Sequence, residues 1–325
     1  MTSLTLTTPS ANIVLTPLPV NARPSPSADA ERTPSISADG RPDPELVRIR
    51  DLIYQVAGIF HPDTKLRLLL DRCNRRMKAV NLGTLCEYRA CLTIKPGHEQ
   101  EMTALLNEIT IGETSFFRNQ PQLEALRQVV IPRLLALKNT APSRRLRIWT
   151  AGCSTGEEPY TLAILALEES LQILKGWTVE ILATDLNELS LAHARTALYN
   201  AYSTRYLPQR YRNKYFTSAG DLWQLDQPAR QKVAFDRLNL SDESSMLRMT
   251  EADIIFCCNV LIYFDVASKR RVIGHFYNTL LPHGYLFLGQ SESLYGVSEN
   301  FRLVHLPGST AYIKTECGSA ERPAP

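Results

Sequence analysis

Apolar residues are distributed unevenly along the chain, and their spacing separates a tail, a helical segment and an alternating segment. Residues 1–44 are rich in Pro, Ser and Thr and lack periodic apolar positions. Such a segment buries too little surface to offset the entropy lost on ordering, so we expect it to be disordered. We expect the same of residues 316–325.

Four amphipathic helices are predicted between residues 45 and 109. Two of them carry apolar stripes at helical spacing, formed by Leu46, Ile49, Ile53, Val56 and Phe60 and then by Leu66, Leu69, Leu70, Cys73 and Met77. Two further helices are predicted at 84–92 and 99–109. This segment is therefore predicted to be a small all-helical domain.

The second helix also has a basic face, which includes Arg72, Arg75 and Arg76. Charged faces are stable in water without a partner, so the residues alone favour a solvated surface. The same face would suit an acidic partner helix, and this alternative stays open.

From residue 144 onwards, short apolar runs alternate with helical stretches. Strands are predicted at 146–150, 179–183, 254–258, 285–289 and 310–313, and helices at 159–166, 189–197 and 266–279. Strands that alternate with helices form a largely parallel sheet with helices on both faces. Residues 144–315 are therefore predicted to be an α/β domain, joined to the helical domain at 110–143 by a linker and a helix at the T-S-F-F-R motif.

The composition is that of an ordinary globular protein, with 44% apolar and 21% charged residues and a net charge of +3. This charge is too small to argue for nucleic-acid binding. No apolar run approaches the roughly 18 to 20 residues needed to span a bilayer, and Pro9, Pro17 and Pro19 interrupt the stretch that faintly resembles a signal peptide. We expect a cytoplasmic protein that neither binds nucleic acid nor inserts into a membrane.

The seven cysteines are scattered without a C-x-x-C pair, and the six histidines are isolated. An odd number of dispersed cysteines is typical of free thiols in a reducing compartment. Neither residue type has the spacing of a zinc site, so we predict no metal.

Candidate chemistry first appears in the loop 151–158 (A-G-C-S-T-G-E-E), after the first predicted strand. Gly152 and Gly156 allow a tight turn and the close approach of a ligand. Their G-x-x-x-G spacing differs from the G-x-G-x-x-G of dinucleotide sites, and Glu157 and Glu158 would repel a pyrophosphate. The same carboxylates would attract a cation such as S-adenosylmethionine, although acidic residues also stabilise the first turn of a helix without any ligand.

Three further residues are predicted to reach the same edge of the sheet. Asp185 follows the second strand and is placed to accept both ribose hydroxyls of a nucleoside, although Asp is also a common helix N-cap. Asn259 and Tyr263 follow the strand at 254–258, where a turn residue and a core aromatic are the structural alternatives. Before the first strand, Arg118 could bind a carboxylate with two hydrogen bonds.

Taken together and in order, these motifs resemble CheR, the chemotaxis receptor methyltransferases. The matching segments are 114–118 (T-S-F-F-R), 149–160 (W-T-A-G-C-S-T-G-E-E-P-Y), 183–185, 259–265 (N-V-L-I-Y-F-D) and 284–294 (G-Y-L-F-L-G-Q-S-E-S-L). The resemblance implies a class I S-adenosylmethionine-dependent methyltransferase domain with a Rossmann-like, mostly parallel sheet. It also implies an N-terminal helical domain at 45–109 and a small antiparallel β-subdomain inserted at 215–236. That insertion looks short, so we expect no binding of a receptor's C-terminal peptide there.

The resemblance also implies roles for individual residues. The expected cofactor contacts are Gly112, Thr114, Arg118, Glu157, Asp185, Asn239, Leu240, Asn259 and Val260. Arg118 and Tyr263 would be catalytic, with Tyr263 near the transferred methyl group. Arg72, Arg75 and Arg76 would face the receptor's methylation helices, which replaces the solvated-face interpretation. Two positions depart from the family pattern, because Gly112 stands where relatives have Asn and Cys258 where they commonly have Arg.

The implied activity is methyl transfer from S-adenosylmethionine to glutamate side chains of a chemoreceptor. The products would be glutamate methyl esters and S-adenosylhomocysteine, and the enzyme would be a monomer. The departures at Gly112 and Cys258 leave open a weak or inactive methyltransferase-fold protein that only binds and signals. A dehydrogenase is disfavoured by the absence of G-x-G-x-x-G. A small-molecule methyltransferase is also disfavoured, because its reaction would give the basic helical domain no function.

Overall fold

The computed structural model describes residues 42–110, 112–139 and 144–315. Of the tails predicted at 1–44 and 316–325, all but residues 42–44 lie outside the described residues. The first helix already begins at Pro44, with Asp43 as its N-cap.

The N-terminal domain consists of four α-helices around one apolar core. They are α1 (Pro44–Ala57), α2 (Leu66–Ala79), α3 (Leu85–Thr93) and α4 (His98–Ile109), with a single 3₁₀ turn at Asp63–Lys65 before α2. The side chain of Asp43 accepts hydrogen bonds from the first N–H groups of α1, and Thr84 and Glu87 form a capping box on α3. The four predicted helices are present.

The first apolar stripe ends earlier than its spacing predicts. Gly58 adopts the left-handed conformation with φ 69° and ends α1 at Ala57. Val56 and Phe60, which were expected on the buried stripe, are 38% and 47% exposed. Phe60 instead lies in the segment between α1 and the 3₁₀ turn.

The second domain is built on a seven-stranded sheet. Its strands are β1 (Arg145–Ala151), β2 (Thr178–Asp185), β6 (Val233–Arg237), β7 (Ala252–Cys257), β8 (Leu280–Leu288), β9 (Phe301–Leu306) and β10 (Ser309–Lys314). The spatial order is β6-β2-β1-β7-β8-β10-β9. The first five strands of this order are parallel, and β10 pairs antiparallel with both β8 and β9. The order reverses at β1, which lies between β2 and β7.

Helices cover both faces of the sheet. They are α5 (Gln120–Ala125), which continues through a π-helical turn at Leu126–Val130 into α6 (Ile131–Lys138), and α7 (Glu157–Glu169), α8 (Glu188–Thr196), α9 (Gln209–Tyr215), α10 (Gln227–Arg230), α11 (Glu243–Met246) and α12 (Val266–Thr279). Alternate residues of the central strands enter two separate cores; in β7, for example, Phe256 belongs to one core and Ile255 to the other. Every residue of β7 is buried, as expected for a central parallel strand. None of the described helices is both long enough and apolar enough to cross a bilayer.

A three-stranded antiparallel sheet is inserted between β2 and β6. It consists of β3 (Leu198–Tyr199), β4 (Phe216–Ala219) and β5 (Leu222–Leu225), in the order β3-β5-β4. The insertion was expected at 215–236, but its sheet starts at Leu198 and ends at Leu225. The reason is that β6 pairs in parallel with β2 and is therefore an edge strand of the main sheet.

The helical domain contacts the α/β domain through backbone hydrogen bonds. Ile59 and Phe264 form an isolated antiparallel bridge, and the N–H of Phe60 donates to the carbonyl of Tyr263 at 2.9 Å. Tyr54 Oη also donates to Asp265 Oδ2 at 3.0 Å. The segment after α1 is thereby fixed beside the loop after β7, which carries Tyr263.

Candidate functional site

A cleft of about 550 Å³ lies at the carboxyl ends of β1, β2, β7 and β8 and extends to the segment between α1 and α2. Its volume falls within the roughly 300–1,000 Å³ typical of small-molecule sites. Of the residues with an expected cofactor or catalytic role, all but one line it; they are Gly112, Thr114, Arg118, Asp185, Asn239, Leu240, Asn259, Val260 and Tyr263. The exception is Glu157.

The loop after β1 forms one wall of the cleft, and it lies close to the loop after β7 because Gly152 has no side chain. Gly152 has φ 78°, and a β-carbon there would lie 2.4 Å from Val260 Cγ2. Its N–H and that of Cys153 both donate to the carbonyl of Thr184, at 2.8 and 2.9 Å. The loops after β1, β2 and β7 therefore converge at one point of the sheet edge.

Asp185, at the end of β2, is fixed by two backbone hydrogen bonds. Its Oδ2 accepts from the N–H of Ser154 and its Oδ1 from the N–H of Asn187, both at 2.8 Å. Burial raises the pKa of this carboxyl, although the backbone N–H groups oppose the shift. A carboxylate oxygen can accept more than one hydrogen bond, so each oxygen of Asp185 can accept a further one.

The carboxylate that α7 presents to the cleft is Glu158, and this corrects the expectation for Glu157. Glu157 is 1% exposed, and its Oε2 accepts a hydrogen bond from Thr155 Oγ1 at 2.7 Å. Glu158 lines the cleft and is half-buried. Consecutive residues of a helix point about 100° apart, and of these two carboxylates only that of Glu158 lines the cleft.

Glu158 has an unusually high pKa for a carboxyl group. Burial raises its pKa to about 7, against the opposing effects of a hydrogen bond with Cys258 and the positive charge of Arg118. The Cys258 thiol also contacts Gln122 Oε1 at 3.5 Å. Cys258 thus occupies the space beside Glu158 with an uncharged group.

Two buried aromatics hold the segment that carries Arg118. Phe116 is fully buried and donates its N–H to the carbonyl of Ser203 at 2.9 Å. Phe117 is also buried and donates its N–H to Thr161 Oγ1 at 3.1 Å. Arg118 is then exposed at the cleft wall, where its Nη1 donates to the carbonyl of Glu113 at 3.0 Å. The aromatic pair of the motif is therefore structural, and the arginine lines the cleft. The motif itself forms turns, and the helix expected there begins only at Gln120.

Gly112 lies against the loop after β1. A β-carbon on Gly112 would lie 2.7 Å from Ser154 Oγ, a buried hydroxyl without a hydrogen-bond partner among the described residues. The space that a larger side chain would need at position 112 is therefore occupied by Ser154.

Asn239 lines the cleft, but its side chain has other partners. The Nδ2 group donates to the carbonyl of Val56 in α1, and Oδ1 accepts from the N–H of Ser241 at 3.0 Å. A ligand at this position would therefore contact the backbone of Asn239 or the buried neighbour Leu240.

The loop after β7 begins with Asn259 in the left-handed conformation, with φ 63°. It then forms a 3₁₀ turn at Leu261–Tyr263. Tyr263 is half-buried in the cleft wall, and burial raises the pKa of its hydroxyl. This turn brings Asn259 and Tyr263 to the same cavity although they are four residues apart.

The three arginines expected to dock a partner lie on α2, away from the cleft lining. Arg76 binds Glu101 of α4 with Nε and Nη2, at 3.0 and 2.7 Å, and Tyr88 Oη donates to the same carboxylate at 2.9 Å. Arg75 pairs with Glu108 at 3.0 Å and remains half-exposed. Arg76 is therefore engaged within the helical domain, while the Arg75 side chain, although paired with Glu108, is about half accessible to solvent.

Two residues near the cleft were not identified from the sequence. His61 lines it, is 8% exposed and leaves Nδ1 without a hydrogen-bond partner among the described residues. Glu292 contacts the loops after β7 and β8. An isolated His carries no usable sequence signal, whereas Glu292 lies within the 284–294 motif. The described residues contain no group of three or more His, Cys, Asp or Glu side chains that could hold a metal ion.

Comparisons with known proteins agree with this geometry. Residues 44–110 match the all-alpha domain of CheR methyltransferases, and residues 112–309 match their SAM binding domain. Chemotaxis protein methyltransferase 2 of Vibrio cholerae is 35% identical over 86% of this chain and 96% of its own length. Chemotaxis protein methyltransferase 1 of Pseudomonas aeruginosa is 34% identical over 83% of this chain and 97% of its own length. The chain therefore belongs to the CheR methyltransferase family, and its α/β domain is a class I methyltransferase domain whose cofactor is S-adenosylmethionine.

Proposed function

We propose that this protein transfers a methyl group to glutamate side chains of a chemoreceptor and forms glutamate methyl esters. The observation that carries the proposal is one cleft that is lined by Asp185, Glu158, Arg118 and Tyr263. The names of the V. cholerae and P. aeruginosa relatives support a role in chemotaxis. We further propose that the protein acts as a monomer in the cytoplasm.

The residues of the cleft fit S-adenosylmethionine. The two oxygens of Asp185, already oriented by backbone N–H groups, suit a ribose diol. Glu158 offers a carboxylate to a positively charged group, and the bare backbone of Gly152 allows a ligand to approach closely. The bound cofactor supplies an electrophilic methyl group on a sulfonium.

The acceptor needs no activation by a base. A glutamate side chain has an ordinary pKa of about 4.3 and is ionised at neutral pH. Arg118, exposed at the cleft wall, would orient this carboxylate, and Tyr263 would limit its position beside the reacting atoms. Orientation of this kind can supply up to about 7–11 kcal/mol of rate enhancement, so positioning is sufficient as the main catalytic device.

The receptor would approach along α2. Lys65, just before this helix, and Leu68 in its first turn line the cleft, and the half-exposed Arg75 lies farther along the helix. Methylation helices that carry acidic residues would complement this surface. Arg72 is half-buried on the same helix and belongs to the proposed docking face.

The test is incubation with methyl-labelled S-adenosylmethionine and a receptor cytoplasmic fragment, followed by mild base. A carboxyl ester releases labelled methanol, whereas methylated nitrogen or sulfur does not. The Asp185→Asn variant serves as the matched control and should release little label. Label that resists base would contradict the proposed glutamate ester.

A further inference from the structure

The loops after β7 and β8 are joined by one carboxylate that does not itself line the cleft. Glu292 Oε2 accepts hydrogen bonds from the N–H of Asn259 at 2.8 Å and of Gly289 at 2.7 Å. Its Oε1 accepts from the N–H of Ile262 at 3.2 Å. Three backbone N–H groups in the loops after two parallel strands are therefore satisfied by a single side chain.

The approach of Glu292 depends on Gly289. A β-carbon at this position would lie 2.8 Å from Glu292 Oε2 and 2.9 Å from the backbone nitrogen of Asn259. Any other residue at 289 would separate the two loops or displace the carboxylate. Both the carboxylate and the glycine are therefore needed for this junction.

The junction holds the part of the cleft where cofactor and acceptor would meet. Asn259 has φ 63°, a left-handed conformation that Asn adopts more readily than most residues with a side chain, and its N–H donates to Glu292. The same turn continues through Val260 to Tyr263, whose carbonyl accepts from Phe60 of the helical domain. A displacement at Asn259 or Ile262 would consequently move Tyr263 and the edge of the helical domain together.

We propose that Glu292 is a positioning residue for methyl transfer, because its carboxylate fixes the loop that presents Asn259 to the cofactor and Tyr263 to the acceptor. This role presupposes the methyl transfer proposed above. A displacement of about 1 Å in a positioning group can lower a rate by about 10²-fold. Glu292 therefore acts through the backbone that it binds, without touching the reactants.

The test compares Glu292→Gln with Glu299→Gln, which replaces an exposed acidic residue of the same connection. The amide of Gln has the size of the carboxylate but opposes one of the three N–H groups with its own donor. We expect the single-turnover rate of Glu292→Gln at saturating cofactor and acceptor to fall about 10- to 100-fold. Glu299→Gln should match the parent protein.

Hydrogen exchange separates positioning from a general loss of structure. In Glu292→Gln, peptides containing residues 259–262 and 289 should exchange faster, while the amides of Gly152 and Cys153 keep their protection. The Gly289→Ala variant should show the same local increase in exchange. The double variant should transfer methyl groups only slightly more slowly than the slower of the two single variants. Glu292→Asp keeps the charge, but its shorter side chain cannot reach the three N–H groups. Its rate and exchange pattern should therefore resemble those of Glu292→Gln.

A rate within twofold of the parent for folded Glu292→Gln would overturn the proposal. Equal loss of protection at Gly152 would also overturn it, since that pattern means global destabilisation. If the parent protein itself transfers no methyl group, the proposed function fails. The hydrogen-exchange pattern of Glu292→Gln then still shows whether Glu292 orders the loop.

Discussion

We predict that the raised pKa of Glu158 makes cofactor affinity depend on pH in a range where ordinary carboxylates no longer titrate. The perturbation is Glu158→Gln, which removes the charge and keeps the size. With a pKa of about 7, Glu158 is largely protonated at pH 6 and largely ionised at pH 7.5. Only the ionised form attracts the positive charge of S-adenosylmethionine, so affinity must rise with pH through this window and then level off.

The magnitude follows from the ionised fraction. For a pKa near 7 this fraction is about one tenth at pH 6 and about three quarters at pH 7.5, a ratio of about eightfold or about 1.2 kcal/mol. We therefore expect the Kd of the parent protein to fall about eightfold between these pH values. Glu158→Gln should bind more weakly at pH 7.5 and show little of this dependence.

Isothermal titration calorimetry with S-adenosylmethionine at four pH values measures both effects. Glu157→Gln is the matched control, because its carboxylate is bonded to Thr155 outside the cleft lining. It should lose stability but retain the pH slope of the parent protein. An equal slope in Glu158→Gln would refute the reasoning, and so would a slope that disappears in Glu157→Gln.

Three other substitutions have defined outcomes. Asp185→Asn replaces a double acceptor by an amide whose N–H₂ opposes a backbone N–H, so calorimetry should show at least about a tenfold loss of cofactor affinity; a change below twofold would contradict the assigned contact. Arg76→Met leaves the buried Glu101 without its cation and should lower the free energy of unfolding in urea by about 3 kcal/mol, whereas Arg75→Met should cost under about 1 kcal/mol. Gly152→Ala places a β-carbon 2.4 Å from the neighbouring loop at φ 78° and should lower both the melting temperature and cofactor affinity; an unchanged melting temperature and Kd would contradict this close packing.

The sequence predicts correctly those elements whose pattern of apolar residues matches their burial in the fold. The strand at 254–258 is apolar throughout because β7 is buried on both faces, so its pattern and its position coincide. By contrast, β6 (V-A-F-D-R) lies at the sheet edge and is mostly polar or exposed, and its pairing with β2 leaves no periodic signal. Periodicity alone predicts that the stripe of α1 extends to Phe60, because it does not register the left-handed turn at Gly58.

The site was predicted to the level of its loops, and less well to the level of side-chain direction. Asp185 and Tyr263 line the cleft as expected, because the ends of parallel strands meet at one sheet edge. Glu157 and Glu158 are adjacent in sequence, and only the helix phase set at Gly156 decides which of them faces the cavity. Glu292 becomes recognisable only when the fold brings the loops after β7 and β8 together.

The central claim is that one cleft holds the cofactor between Asp185 and Glu158 and directs its reactive end toward Tyr263. A crystal structure of the protein with S-adenosylhomocysteine tests this claim most directly. We predict both ribose hydroxyls within hydrogen-bonding distance of Asp185, the amino-acid portion on the side of Glu158, and the sulfur facing Tyr263. A nucleoside bound away from Asp185, or an amino-acid portion held by Glu157, would contradict the account.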